Sequence, residues 1–206
     1  MFDNEYLTVQ QPAQGLYKDK GSRFIGWVYP VHNEEEVKNI IADIKKKYYD
    51  ATHHCYAYLI GHYGTPATRV NDDGEPSGTA GKPIMGQILS HNLKDVLIVV
   101  IRYFGGVKLG VSGLIAAYKA CSADTLQNAD IITVPIEHLY SISLPYDLLN
   151  EMMSTLKRIN AKITGTVYNN NQVDIEFSVS TDISHNIEDH FQKFYQLSPP
   201  KYLKVL

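Results

Sequence analysis

The segment that most constrains the fold is the unbroken aliphatic run from Val96 to Ile101. Successive side chains of a strand point to opposite faces of the sheet, so a strand that is apolar at every position must be covered on both faces. The run is far shorter than the roughly 20 residues that a membrane-spanning helix needs. It therefore predicts the central strand of a water-soluble sheet, buried on both faces.

Two segments around this strand have the pattern of helices. The first runs from about 33 to 48, where Asn33 can cap the start, three glutamates follow it and three lysines (45–47) end it. These lysines could bind RNA, but complementing the negative end of a helix is the simpler interpretation. The second helix is predicted over about 112–128, with Ser112 as its N-cap residue.

Beyond His138 the pattern changes to a regular succession of strands and helices. Strands are predicted at 139–144, 162–168, 172–179 and 201–206, and helices at 146–159 and 182–194, the latter capped by Asp182. The order β-α-β-β-α-β is the ferredoxin-like arrangement. We therefore predict an α+β protein of two domains, 1–137 and 138–206.

The charge is close to balanced, with 19 Lys and Arg against 22 Asp and Glu and a formal net charge of −3. Nonspecific duplex binding depends on many phosphate contacts, so any phosphate recognition here must be local. The two cysteines, Cys55 and Cys121, are predicted to be buried free thiols in a reducing compartment. The first residues do not have the pattern of a signal peptide. We expect a cytoplasmic protein with no membrane partner.

Ten of the 14 glycines lie between Gly61 and Gly113, mostly in the two loops 72–83 and 102–113. The first loop leads into a helix predicted from Pro83 through Leu89, and the second into the helix at 112–128. The free N–H groups at the start of each helix favour an anion. We predict that the two loops frame one cleft that binds an anion or nucleic acid. Its residues would be Lys82, Arg102 and Lys108, the backbone of Gly78, Gly81, Gly105 and Gly106, the cap Ser112 and, as a weaker candidate, Arg23. The alternative, that the glycines only permit tight packing, stays open.

An enzymatic interpretation rests on Asp72, Asp73 and Glu75, which could hold Mg²⁺ beside a phosphate. No complete nucleotide motif supports it. A P-loop containing Gly81-Lys82 would need glycine at 76 and Ser or Thr at 83, and both residues are proline. We predict no metal site and no cofactor. A Mg²⁺-dependent enzyme acting on a phosphorylated small molecule or nucleotide remains the alternative.

The same two loops, with the residues 114–118 that follow, resemble the signature of the IMPACT/YigZ family. Segments 20–26 and 53–58 resemble the family's earlier blocks, and the resemblance covers most of residues 18–130. Val111-Ser112 departs from the Ala-Gly that members often have.

The resemblance implies an N-terminal domain like the second domain of a small-subunit ribosomal protein and a C-terminal domain of elongation-factor-like shape. It also implies a non-enzymatic regulatory protein of translation. Its partner would be RNA, the ribosome or a translation-linked protein, and its oligomeric state is left open.

Overall fold

The computed structural model describes residues 4–61 and 65–206. The described residues form two compact units, one of residues 6–134 and one of residues 135–206 together with residues 4 and 5. Both units combine sheets with helices, so the α+β prediction is confirmed. No helix in this part of the chain is long and apolar enough to cross a membrane.

The first unit is built on a five-stranded sheet in the order β2-β3-β6-β4-β5, with every neighbouring pair antiparallel. The strands are β2 (Ala13–Asp19), β3 (Ser22–Pro30), β4 (His53–Ile60), β5 (Ala67–Asn71) and β6 (Val96–Tyr103). The aliphatic run forms β6 at the centre, and each of its residues from Val96 to Ile101 is fully buried. Strand β2 was not among the predicted elements.

Helices cover both faces of this sheet. On one face lies α1 (Glu34–Lys47), whose first turn is capped by the Asn33 side chain accepting the Glu36 N–H at 2.9 Å. It packs Val37 and Ile44 against alternate residues of β3 and β6. On the other face lie α2 (Gly81–Ser90) and α3 (Gly110–Gln127), which enclose the larger apolar core. A separate two-stranded sheet pairs β1 (Glu5–Val9) with β7 (Ile131–Pro135).

The second unit has the ferredoxin-like order that its sequence predicts. Its antiparallel sheet runs β11-β8-β10-β9. Its elements are β8 (Glu137–Leu144), α4 (Leu149–Arg158), β9 (Lys162–Tyr168), β10 (Val173–Ser180), α5 (Thr181–His185), α6 (Ile187–Phe191) and β11 (Lys201–Val205). One side of the sheet buries an apolar core centred on Met152, Ile175 and Phe177.

The predicted helix 182–194 is interrupted. Asn186 ends α5 with non-helical backbone angles, φ −123° and ψ 29°, and a 3₁₀ turn follows α6 at Gln192–Phe194. Asp182 is not the cap, since Ser180 precedes the first turn and Asp182 accepts a hydrogen bond from Asn4 at 2.7 Å. The division at residues 137 and 138 into separately folding domains stays a prediction.

Candidate functional site

The first glycine-rich loop is closed by one of its own carboxylates. Asp72 accepts the backbone N–H groups of Gly78 at 2.8 Å, Ala80 at 3.0 Å and Gly81 at 2.8 Å. Burial opposes ionisation of Asp72, but these three bonds and nearby Lys82 hold its pKa below the usual value. The N–H groups of Gly78 and Gly81, predicted to face a ligand, are therefore occupied from within.

Arg102 is held in a buried ion pair. Its Nη1 lies 2.6 Å from Glu75 Oε1, and both residues are less than one tenth exposed. Tyr118 donates its hydroxyl proton to the same carboxylate oxygen at 2.8 Å, and Arg102 Nη2 donates to Ser22 Oγ at 3.4 Å. Arg102 Nε has no hydrogen-bond partner among the described residues. Arg102 is thus the charge partner of Glu75, which differs from the free ligand-binding arginine that the sequence predicts.

Three titratable groups in the apolar core of the first unit, Tyr118, Cys55 and Cys121, are kept uncharged by burial. Burial raises the pKa of Tyr118 far above its usual value, so the phenol stays protonated and can donate to Glu75. Burial also raises the thiol pKa values of Cys55 and Cys121 to about 12. Both cysteines are buried and free, as predicted.

The second glycine-rich loop leads into α3 without a side-chain cap. Leu109 occupies the N-cap position and the first turn carries no acidic residue. Gly110, with φ +75°, makes the turn into the helix two residues before Ser112. Ser112 therefore lies inside the first turn, which corrects its assignment as the cap. The start of α3 therefore has no described side chain that accepts its N–H groups, whereas at the start of α2 Asp72 accepts those of Ala80 and Gly81.

The start of α3 forms one wall of a cleft of about 370 Å³, here called the β6–α3 cleft. Its lining residues are Glu75, Pro76, Arg102, Phe104, Lys108, Leu109, Gly110, Val111 and Leu114. Lys108 is exposed and forms no ion pair with any residue that the structure describes. Phe104 and Val111 expose 49% and 59% of their surfaces, so the cleft joins an exposed cation to an apolar rim.

The predicted basic residues are only partly brought together. Arg102 and Lys108 line the β6–α3 cleft, but Lys82 does not, and its aliphatic stem lies against Gly78. Gly105 donates its N–H to Ser22 Oγ at 3.3 Å, so that group is also occupied. Gly106 has φ +87° and open space around it.

Arg23 lines a second hollow of about 530 Å³, here called the hairpin hollow, with Lys18, Asp19, Lys20, Gly21, Ser22 and Tyr103. Lys18, Lys20 and Tyr103 were not among the predicted site residues. The sequence does show basic residues on both sides of the turn-forming Lys20-Gly21. They could be predicted to lie together only if residues 13–19 were recognised as a strand that pairs with β3.

The carboxylates proposed for Mg²⁺ have structural partners instead. Asp72 closes the first loop and Glu75 neutralises Arg102. Asp73 accepts the His54 N–H at 2.7 Å and pairs with Lys45 at 3.3 Å. Within residues 4–61 and 65–206, no group of three or more His, Cys, Asp or Glu side chains is arranged to hold a metal ion.

Comparison with known proteins gives one consistent result. The family model described as the Impact N-terminal domain matches residues 20–126. The IMPACT family member YvyE of Bacillus subtilis is 37% identical over 154 residues, which cover 75% of this chain and 70% of that protein. The IMPACT family member YigZ of Escherichia coli is 30% identical, over 79% of this chain and 80% of that protein. A crystal structure of a hypothetical protein superposes with a TM-score of 0.75 at 25% identity, over 98% of this chain and 99% of that one.

Proposed function

The chain belongs to the IMPACT family, and from this premise we propose that it is a non-enzymatic binding protein of translation whose partner is the ribosome. The resemblance of the sequence to this family implies a regulatory protein of translation, and that implication supports the link to translation. The β6–α3 cleft is the proposed docking site. Other RNA or a translation-linked protein would be the partner if the ribosome is not.

The observation that carries this proposal is the composition of the β6–α3 cleft. The exposed Lys108 stands at the uncapped start of α3, where the helix dipole also favours negative charge. Phe104, Val107 and Val111 are each about half exposed beside it. Such a mixture suits an anionic group carried on a larger partner, since exposed apolar residues around a polar anchor are typical of interaction surfaces.

The same cleft gives little support to catalysis. A general base or nucleophile needs a side chain free to reach the substrate, and Glu75, the carboxylate in the lining, already accepts from Arg102 and Tyr118. The Mg²⁺-dependent alternative would need carboxylates that the first loop and the ion pair use. Binding therefore accounts for the arrangement better than turnover.

Reversing the charge of Lys108 tests the docking site. Lys108→Glu is expected to weaken co-sedimentation with ribosomes about tenfold, the loss of one charge-assisted hydrogen bond. It should also flatten the dependence of binding on salt, because a phosphate contact is tied to counterion release. The measurement is a ribosome titration at several salt concentrations.

The matched control is Lys119→Glu, an exposed position further along α3 with the same change of charge. Its Kd for ribosomes should stay within about twofold of the wild-type value, a difference below about 1 kcal/mol. Equal losses in the two variants would show that net charge matters and the cleft does not. A wild-type chain that ignores ribosomes at low salt but consumes a phosphorylated metabolite with Mg²⁺ would replace this proposal with the enzymatic one.

A further inference from the structure

Two cation–aromatic pairs lie on the sheet face that also carries α1. The Arg23 guanidinium is 4.6 Å from the Tyr103 ring centroid, and Lys47 Nζ is 4.6 Å from that of Trp27. Arg23 and Trp27 both belong to β3 and are four residues apart, so they point to the same face about 13 Å from each other. A ligand that contacts both pairs must therefore be as long as a few nucleotides, which is longer than one small molecule.

The hairpin between β2 and β3 adds further positive charge to this face. Lys18 pairs in register with Arg23, and Arg23 pairs with Tyr103, so the three residues form one row across β2, β3 and β6. Lys20 stands in the turn with φ 44°. Lys18, Lys20 and Arg23 are exposed and form no ion pair with the described residues.

Two carboxylates oppose these cations without balancing them. Asp19 lines the hairpin hollow, and Asp50 accepts the Tyr103 hydroxyl at 2.8 Å. Lys18, Lys20, Arg23 and Lys47 outnumber them two to one. The part of this face beside the hairpin and the last turn of α1 is therefore locally positive, whereas Glu34, Glu35 and Glu36 lie in the first turn of that helix.

We propose that this hairpin platform, made of Lys18, Lys20, Arg23, Trp27, Lys47 and Tyr103, binds single-stranded RNA. The inference deepens the proposed function and rests on it, because a ribosome is an RNA-containing partner. Bases stack on guanidinium planes as they do on aromatic rings, while lysines attract the phosphates between them. The Trp27 ring already carries Lys47 and stacks on Tyr29 with centroids 5.9 Å apart. The stacking surface is therefore Arg23, which is exposed and lies over the Tyr103 ring.

The openness of the site favours a polymer over a free nucleotide. Small-molecule sites bury most of their ligand, whereas Lys18, Lys20, Gly21 and Arg23 are all exposed. A polymer can instead gain affinity from several weak contacts along its length. Duplex RNA fits less well, because its bases are stacked inside the helix and cannot reach the Arg23 guanidinium.

The turn that presents Lys20 is held firmly. A Cβ atom on Gly105 would lie 1.9 Å from the carbonyl carbon of Gly21, so the backbones of the hairpin turn and the second loop are in direct contact. This contact fixes the position of the hairpin without using any of the cationic side chains. The platform is thus preorganised, which lowers the entropy that binding must supply.

Fluorescence anisotropy with a labelled oligouridylate of about 10 nucleotides tests the platform. Arg23→Glu is expected to raise Kd about tenfold or more, the effect of losing one stacked base, and to lower the salt slope by about 0.7 for each phosphate that is no longer bound. Lys18→Glu should also raise the Kd for the oligouridylate.

Lys46→Glu is the control, because Lys46 is exposed, is not a platform residue and pairs with Asp43 within α1. It should change Kd by less than about twofold.

Three results would overturn the inference: no binding of the wild type to the oligouridylate at low salt, equal losses in Arg23→Glu and Lys46→Glu, or equally tight binding of duplex RNA. Binding to ribosomes that survives without oligouridylate binding would remove this inference alone. Absence of both would remove the proposed function as well.

Discussion

Replacing Glu75 with leucine is expected to destabilise the first unit by about 3–5 kcal/mol. The substitution removes the acceptor of Arg102 Nη1 and of the Tyr118 hydroxyl, all three residues being less than one tenth exposed. It leaves a buried guanidinium without a counter-charge, which is the costly half of a broken ion pair. Urea unfolding followed by circular dichroism measures the change in the free energy of unfolding.

The double variant Glu75→Leu, Arg102→Met is the matched control. Removing both charges leaves an apolar pair of similar volume, and such replacements are often close to neutral. The double variant should therefore recover more than half of the stability that the single variant loses. If Glu75→Leu alone is tolerated, Arg102 is not held by this pair, and its assignment as an internal charge partner is wrong.

Gly105→Ala is expected to cost about 3 kcal/mol or more in the same measurement. The added methyl group would meet three backbone atoms, the Gly21 carbonyl carbon at 1.9 Å, its oxygen at 2.2 Å and the Ser22 nitrogen at 2.2 Å. No side chain can rotate away to relieve this clash, so the hairpin turn and the second loop must separate. Because the β6–α3 cleft and the hairpin hollow adjoin this contact, binding should fall as well.

Gly86→Ala provides the comparison for that variant. Gly86 lies in the interior of α2, is exposed, and has no described atom within 4 Å of the added methyl group. Alanine is the better helix former by about 0.5–1 kcal/mol, so this variant should be slightly more stable than the wild type. A Gly105→Ala variant as stable as Gly86→Ala would mean that the two loops are not in contact in solution.

Local pattern was enough to predict much of the fold. The burial of β6 follows from its unbroken aliphatic composition, and the start of α1 follows from Asn33 and the glutamates after it. The ferredoxin-like order of the second unit follows from its alternating strands and amphipathic helices. In each case the signal lies within one segment of the chain, where periodicity and capping preferences operate.

Features set by distant contacts were missed. Strand β2 contains Gly15, which reduces its strand character, but α3 approaches so closely that a Cβ there would lie 2.4 Å from the Thr125 nitrogen. A glycine required by the packing of a helix against a strand cannot be told from a loop glycine in one sequence. Without β2, the Lys20-Gly21 turn could not be predicted as the turn of a β2–β3 hairpin.

The candidate site shows the same limit for charged residues. Arg102 lies on the same face of β6 as Ile98 and Val100, the face that packs against α2 and α3. Alternation along the strand could therefore have predicted its burial. The identity of its partner could not be predicted, because Glu75 comes from a separate loop. The sequence also offers Asp72 as a metal ligand, whereas its oxygens accept N–H groups six to nine residues further along the chain.

Photo-crosslinking from position 111, at the rim of the β6–α3 cleft, tests the central claim most directly. Burial holds the native thiols Cys55 and Cys121 protonated, with pKa values of about 12, so a cysteine-directed photo-crosslinker will react selectively with an introduced surface cysteine. Val111→Cys and Lys119→Cys would each carry the probe and be irradiated with ribosomes, which leaves Lys108 in place. We expect crosslinks to ribosomal components from position 111 and few from position 119. Crosslinks from position 119 with none from position 111 would contradict the assignment of the β6–α3 cleft as the docking site.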